Sequence, residues 1–507
     1  KPVSLKKSIN ASQACIDQIK NNSLYSLAGA EYTISLNGKV VETIKTDANG
    51  NATSAKQYNI GDVLTIKETK APPGYKLDTK SYTHTVTSGE NLISVSDIPI
   101  FDPPFVLTKV DKDTTTPQGD GSFTGAVFKW EYFPNNNWSG TPARVWYFAT
   151  DSAGRCVYSK DYLASGYTSD ALYVSPANVQ QLPLGTVKIT EVKNSLGYTV
   201  IQGSLYCTIA EDASKASGAK HVWTEESKAI LTQMANGDWG VYEPIDINLF
   251  GSVSIEKYDA VTGQTAQGEA TLAGAKFQVI NRSANAVKVG DKIYAPGDVI
   301  CELTTDAKGF AKTDNIFPVG TYEIKEISAP TGYLLNSQWK QTFSVTADKK
   351  DHSFTYADGT GCPDTVIAGK IQITKKIVNT IDNLNAAEVG AKFSVADKNG
   401  TVVDTITTGE NGIGISKNLP YGTYTIKQIS GQAGTTFCDT WTVTVNEHGK
   451  VYEYSKENPL WTASVSLHKK EAGVETPLVG TFELCERMAD GTVKVLETGT
   501  TDAEGNL

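Results

Sequence analysis

Short runs in which every second residue is apolar recur along the whole chain. The run within residues 321–333, TYEIKEISAPTGY, reads as a half-buried strand with Tyr322, Ile324 and Glu326 on one face, ended by a Pro-to-Gly turn. A carboxylate on the apolar face of a strand is costly unless a partner pairs with it or it stays protonated. The same arrangement returns in LTIKETKAPPGY with Glu68, in VKITEVKNSLGY with Glu191 and, altered, in YTIKQISGQAG with Gln428.

These strands belong to a longer repeat. Each copy begins with an alternating strand that ends in Lys: VSLKK (Lys7), VLTKVD (Lys109), VSIEKYD (Lys257), IQITKK (Lys375) and VSLHKK (Lys469). Apolar residues two and usually four positions earlier turn that Lys toward the core, and this strand phase favours Lys7 over Lys6 and Lys375 over Lys376. A small-residue segment leads into the second strand: LAGAEYTI, FTGAVFKW, LAGAKFQV, EVGAKFSV and PLVGTFEL. Hairpins with Gly follow (TDANGN, TDSAGR, TDAKGF, TGENGI, TDAEGN), where Gly or Asn accepts positive φ. A tight turn precedes the Glu strand, as in FPVGTY and LPYGTY, and a closing strand carries an acid: DIPIF (Asp97), DINLFG (Asp246) and DTVIAG (Asp364). Asp246 and Asp364 lie eleven residues, and Asp97 twelve, before the Lys of the next copy. The fourth copy ends instead in KENPLW, with Asn458 as its only amide near that register.

The repeat predicts domains at 1–101, 102–250, 251–368, 369–462 and 463–507, the last stopping after its first hairpin. Many short strands with turns between them predict an all-β chain of tandem β-sandwiches joined by very short linkers. The second copy is the longest. Its KWEYFPNNNWSGTPARVWYF segment, with Trp130, Trp138 and Trp146, and the Tyr- and Ser-rich insertion after it predict core or cross-strand packing; an exposed aromatic platform for a sugar or protein is the competing reading.

With 507 residues the chain is too long for one core, which agrees with the repeat count. A net charge of −10 argues against nucleic acid and anionic membrane surfaces as partners. No apolar run reaches the length of a membrane span, and no secretory signal is expected at Lys1. Seven Cys are sparse and odd in number. Cys156 with Cys207, and Cys301 with Cys362, each fall within one expected domain and are candidate disulfides; free buried thiols are the alternative. His84, His221, His352, His448 and His468 stand singly, so no metal site is expected. Asp111, Asp113 and Asp120 lack the Gly and Glu spacing of a calcium loop. No phosphate loop, nucleophile elbow or kinase signature is present, so neither a cofactor nor an enzyme acting on an external substrate is expected.

A Lys on the first strand, a Glu in mid-domain and an Asp on the last strand, all facing inward, admit two readings. One is a buried salt-bridge triad. The other is covalent: a desolvated Lys loses its proton, its neutral amine attacks the Asp carboxyl, and a protonated Glu polarises that carboxyl and shuttles protons. Water leaves and an amide joins two side chains.

Taken in order, these motifs resemble the Cna protein B-type domain, also called the SpaA-like prealbumin fold, of Gram-positive surface adhesins and pilins. The resemblance covers the whole chain, with the second and fourth copies matching most loosely. It implies inverse immunoglobulin-like β-sandwiches arranged end to end as an elongated rod, each closed by an autocatalytic Lys–Asn or Lys–Asp isopeptide bond. The bonds it implies are Lys7–Asp97 with Glu68, Lys109–Asp246 with Glu191, and Lys257–Asp364 with Glu326. Asn248 is the alternative acceptor in the second copy. In the fourth copy Gln428 replaces the acid, so Lys375 and Asn458 are expected to stay unlinked. The implied role is a stiff extracellular stalk, wall-anchored through sortase although no sorting motif is visible, with other pilin subunits or an unknown host protein or glycan as partners. A ligand site in the second domain is the competing function.

Overall fold

Alternation holds in many strands, Val63–Lys70 and Gly320–Ser328 among them, where inward residues are buried and their neighbours are not, and residues 1–462 fold as stacked pairs of sheets. Val106–Asp111 is buried throughout, and the strands after residue 480 are mostly exposed. The computed structural model describes residues 1–381 and 383–507. It divides into two compact units, one of residues 1–258, 272–330 and 335–364, the other of residues 259–271, 331–334 and 365–507.

In the first unit, Ser4–Ile9 lies between Asn51–Thr53 and Leu92–Asp97, and a second sheet runs in the order Lys39–Lys45, Glu31–Leu36, Val63–Lys70, Ser81–Thr85. The two sheets share a core that includes Leu5, Tyr32, Ile34, Ile66 and Val95. The first strand pairs parallel with the last, Lys7 opposite Val95 and Ile9 opposite Asp97.

The plan recurs twice more in this unit. Val106–Asp111 pairs parallel with Trp239–Glu243, beneath a five-stranded sheet that contains Val127–Phe133 and Gly185–Lys193. Val253–Asp259 pairs with His352–Phe354 and Cys362–Asp364, and Lys276–Asn281 and Gly320–Ser328 are central in the partner sheet.

The aromatic segment is core. Trp130 and Trp146 sit opposite each other across Val127–Phe133 and Arg144–Ala149 and are fully buried, with Tyr158 and Tyr173 from the insertion packed on Trp146. Trp138 is half-buried, and its indole N–H donates to the Val187 carbonyl at 3.2 Å. Neither Trp130 nor Trp146 is available as an exposed platform.

Between its first two strands the first repeat carries a helix, Gln13–Ile19, capped by the Ser12 hydroxyl, which accepts from the Cys15 N–H. Cys15 and Ile19 are buried in the hydrophobic core of the second sandwich. Just beyond the helix, Asn22 Nδ2 donates to Tyr132 Oη at 2.9 Å and to the Leu184 carbonyl at 2.7 Å. The first sandwich is thereby tied into the second by side chains as well as by the linker.

In the second unit, Ala368–Asn379 pairs parallel with Val451–Pro459 and antiparallel with Leu384–Ala387 and Ile413–Ile415. The facing sheet runs Val402–Thr407, Lys392–Ala396, Gly422–Ser430, Trp441–Val445. Thr481–Arg487 and Val493–Thr500 form a further hairpin. Among the described residues, no helix is long and apolar enough to cross a membrane.

Candidate functional site: a buried lysine between two strands

Strand phase decides which lysine turns inward. Lys7 is fully buried, whereas Lys6 points outward and donates to the Asn49 carbonyl at 2.9 Å. Lys7 Nζ lies 2.7 Å from Glu68 Oε1, 2.5 Å from Asp97 Oδ2 and 2.5 Å from Tyr32 Oη. In the third sandwich Lys257 Nζ is 3.1 Å from Glu326 Oε1 and in direct contact with Asp364 Oδ1. All of these side chains are buried.

The acid always comes from one register. Glu68, Glu191, Glu326 and Gln428 stand opposite Tyr32, Phe128, Phe277 and Phe393, each beside a β-bulge. A backbone N–H ten residues on holds the far oxygen: Asp78 N to Glu68 Oε2 at 2.7 Å, Ile201 N to Glu191 Oε2 at 2.8 Å, Asn336 N to Glu326 Oε2 at 3.0 Å, and Cys438 N to Gln428 Oε1 at 3.2 Å. The near oxygen of each Glu is left for the lysine.

The partner from the closing strand also has a fixed register, two residues beyond the one paired with the lysine. Lys7 pairs with Val95 and meets Asp97; Lys375 pairs with Lys456 and has Asn458 two residues on. Lys109 pairs with Val241, which puts Glu243, not Asp246, at this position. Lys109 Nζ lies 2.8 Å from Glu191 Oε1 and 3.1 Å from Glu243 Oε2, and it donates to Ser195 Oγ at 3.0 Å. Asp246 instead caps the 3-10 turn Ile247–Leu249 by accepting from Asn248 N at 3.0 Å, and Asn248 is exposed. The closing-strand side chain that meets Lys109 is thus Glu243, and the expected Asp246 and Asn248 are not brought to it. Counting back from the next lysine fails here because that turn lengthens the join. Strand alternation in W-G-V-Y-E, with Val241 and Glu243 buried, carries the usable signal.

Burial, opposed by the adjacent lysine, pushes the carboxyls of Asp97 and Asp364 up to about 7 and that of Glu243 up to about 8. Their buried oxygens meet the lysine closely but outside hydrogen-bond alignment, and none has a hydrogen-bond donor of its own. Each site thus sets a lysine against a carboxyl that burial has moved close to neutrality, with a second carboxyl anchored alongside. In the third sandwich burial of the lysine is outweighed by the neighbouring Cys362, Asp364 and Glu326, which raise the pKa of Lys257.

Gln428 takes the acid's register in the fourth sandwich, but a carboxylate is present from another direction. Glu388 Oε2 lies 3.6 Å from Lys375 Nζ and accepts from Asn458 Nδ2 at 3.1 Å, all three side chains being buried. Burial lowers the pKa of Lys375.

The candidate disulfides are not formed: Cys156, Cys207, Cys301 and Cys362 are all free. Cys156 and Cys207 lie in opposite sheets of the second sandwich. Cys362 Sγ lies 3.1 Å from Lys257 Nζ, and Cys301 stands across the sheet from Val279. Glu326, Cys362 and Asp364 are close enough together to suit a cation, but Lys257 Nζ already fills that place. Asp111 is a turn residue that accepts from Asp113 N and Thr114 N, both at 2.9 Å.

Among solved structures the chain is similar to the Bacillus anthracis TIE protein, at 18% identity and TM-score 0.40 over 86% of this chain and 69% of that one. It is also similar to BcpA, the major pilin subunit of Bacillus cereus (14% identity, TM-score 0.18, 91% of this chain and 99% of that one). GBS52, the minor pilin of Streptococcus agalactiae, aligns at 16% identity and TM-score 0.20 over 42% of this chain and 98% of its own. A search of curated proteins finds no match. The profile of the SpaA prealbumin-like fold domain matches residues 16–98, 251–360 and 369–459, more than half of the sequence. The chain belongs to the SpaA prealbumin-like fold domain family.

Proposed function

We propose that this chain is a stalk segment of a Gram-positive cell-surface adhesin or pilin, with sandwiches at 1–101, 102–250, 251–368 and 369–462 and a further one beginning at 463. On this reading amides formed by the protein itself lock the first three, and other subunits of the same surface fibre or the cell wall are its partners. One observation carries the proposal: the buried lysine and its partner carboxyl lie on the first and last strands of each of the first three sandwiches, which pair parallel in the first two. A pull along the chain enters a sandwich at one of these strands and leaves at the other. An amide between them carries that load past the hydrogen bonds and the core.

In the first sandwich, Glu68 takes a proton from the Lys7 ammonium. The free amine attacks the protonated Asp97 carboxyl, the C–N bond forms, and the hydroxyl leaves as water with the proton that Glu68 returns. Glu68 keeps the last proton shed by the new amide nitrogen. Holding amine and carboxyl together replaces a bimolecular encounter, an advantage that reaches about 10⁵–10⁸ M in effective molarity for well-oriented groups. Lys109 with Glu243 and Glu191, and Lys257 with Asp364 and Glu326, follow the same steps.

Intact-mass measurement tests this. The folded chain should weigh three waters less than its sequence from these sandwiches, and Glu326→Ala should restore one. A chain that carries the full mass of its first three sandwiches refutes the locked-stalk reading.

A further inference from the structure

The fourth sandwich differs from the others at three positions that meet in space. Where the others carry Glu, it has Gln428. Where they carry a large apolar residue before the second strand (Leu27, Phe123, Leu272), it has Glu388. The equivalence is fixed by the hairpin Thr, whose hydroxyl donates to the backbone carbonyl of Leu27, Phe123, Leu272 and Glu388 in turn. The third position is Gly431, next to the bulge. A Cβ there would sit 2.6 Å from both Glu388 Oε1 and Gln428 Nε2, so the glycine lets these two side-chain ends lie where they do without shifting.

Local structure holds Glu388 in place. The strand Leu384–Ala387 pairs with the end of the Lys375 strand, and Glu388 N donates to the Lys375 carbonyl at 2.9 Å. Gln432 N donates to Glu388 Oε1 at 2.7 Å, which leaves Oε2 facing Lys375 Nζ and Asn458 Nδ2. The Asn458 carbonyl oxygen accepts from Cys438 N at 3.1 Å, a backbone donor that it shares with Gln428 Oε1 and that sits where negative charge would develop on that oxygen. A fully buried asparagine thus has its nitrogen on the Glu388 carboxyl and its oxygen on an N–H, and the buried Lys375 Nζ, which donates to the Lys376 and Lys456 carbonyls, lies 3.6 Å from the same Glu388 oxygen.

We infer that the fourth sandwich closes a Lys375–Asn458 amide, with Glu388 supplying the proton transfers that Gln428 cannot. This rests on the self-locking reading above but uses a different acid, acceptor and leaving group. Glu388 takes a proton from the Lys375 ammonium and the amine attacks the Asn458 side-chain carbonyl carbon. Glu388 hands that proton to the Asn458 nitrogen, the C–N bond to it breaks, and ammonia leaves. The carboxylate then takes the surplus proton from the new amide nitrogen, which balances charge and atoms without any co-reactant.

Peptide-resolved mass spectrometry of the full chain tests the inference. The expected result is a Lys375–Asn458 cross-linked peptide lighter by one ammonia, alongside water losses from the other sandwiches. Glu388→Gln should slow closure by about 10²–10⁴-fold, the usual worth of a positioned acid–base group. Glu388→Leu installs the residue that Leu27 and Leu272 represent at this position, so it keeps the sandwich folded and should have the same effect; the water losses should be untouched in both variants. Water losses without an ammonia loss in the wild type would overturn this inference alone, and so would ammonia loss at the wild-type rate in either variant. Absence of all losses would instead remove the locked-stalk reading on which it rests.

Discussion

Glu243→Ala in the second sandwich separates the two candidate acceptors. A Lys109–Glu243 amide closes a loop of roughly 135 residues, and the chain-entropy relation for such a cross-link gives about 5 kcal/mol of stabilisation. Deleting one partner of an unreacted buried ion pair costs a similar amount, about 3–5 kcal/mol, because the other charge is left uncompensated. Denaturation alone therefore does not discriminate, and mass does. Glu243→Ala should restore one water and destabilise the second sandwich by about 5 kcal/mol. Glu243→Gln should exchange the water loss for an ammonia loss with the cross-link intact. Asp246→Ala removes only the cap of a 3-10 turn, so it should leave the mass loss in place and cost about 1 kcal/mol. If Asp246→Ala restores the water, or Glu243→Ala leaves it lost, the register argument fails.

Two further expectations follow from the same geometry. Asp97 and Asp364, held up at about 7, and Glu243, at about 8, are in the leaving-hydroxyl form only below those values. On chain released from denaturant before it has reacted, water loss should thus slow as pH rises through about 7 in the first and third sandwiches and through about 8 in the second. Asn458 has no such proton to lose, so ammonia loss in the fourth should lack that decline; mass time courses across pH read both. Asn22→Ala removes one donor to Tyr132 Oη and one to the Leu184 carbonyl, which still bond each other at 2.7 Å, so the loss of these two hydrogen bonds should lower the stability of the second sandwich by about 1–2 kcal/mol, read by thermal or denaturant unfolding.

The family and the all-β class were legible because their signals are local. Alternation selected Lys7 over Lys6, the repeated Glu strand marked one register, and glycine turns punctuated every repeat. Glu68, Glu191 and Glu326 were all readable this way, because a charge in phase with apolar neighbours must be buried with them. The helix Gln13–Ile19 was missed: at seven residues it is too short for a helical period to stand out, and its apolar face is explained only by the core of another sandwich.

The carboxyl that meets Lys109 and the one beside Lys375 depended on tertiary structure. Spacing along the chain pointed to Asp246, but the pairing partner of a parallel strand is set by the fold of the more than one hundred residues between them, and a capped turn after Glu243 shifted the count. Glu388 looked like part of an ordinary lead-in to a strand, thirteen residues from Lys375 and seventy from Asn458. Sequence by itself determined which residues turn inward, since that follows from the two-residue period of a strand. Only the packed sandwich decided which inward residues meet, because contact between strands far apart in sequence depends on register and bulges.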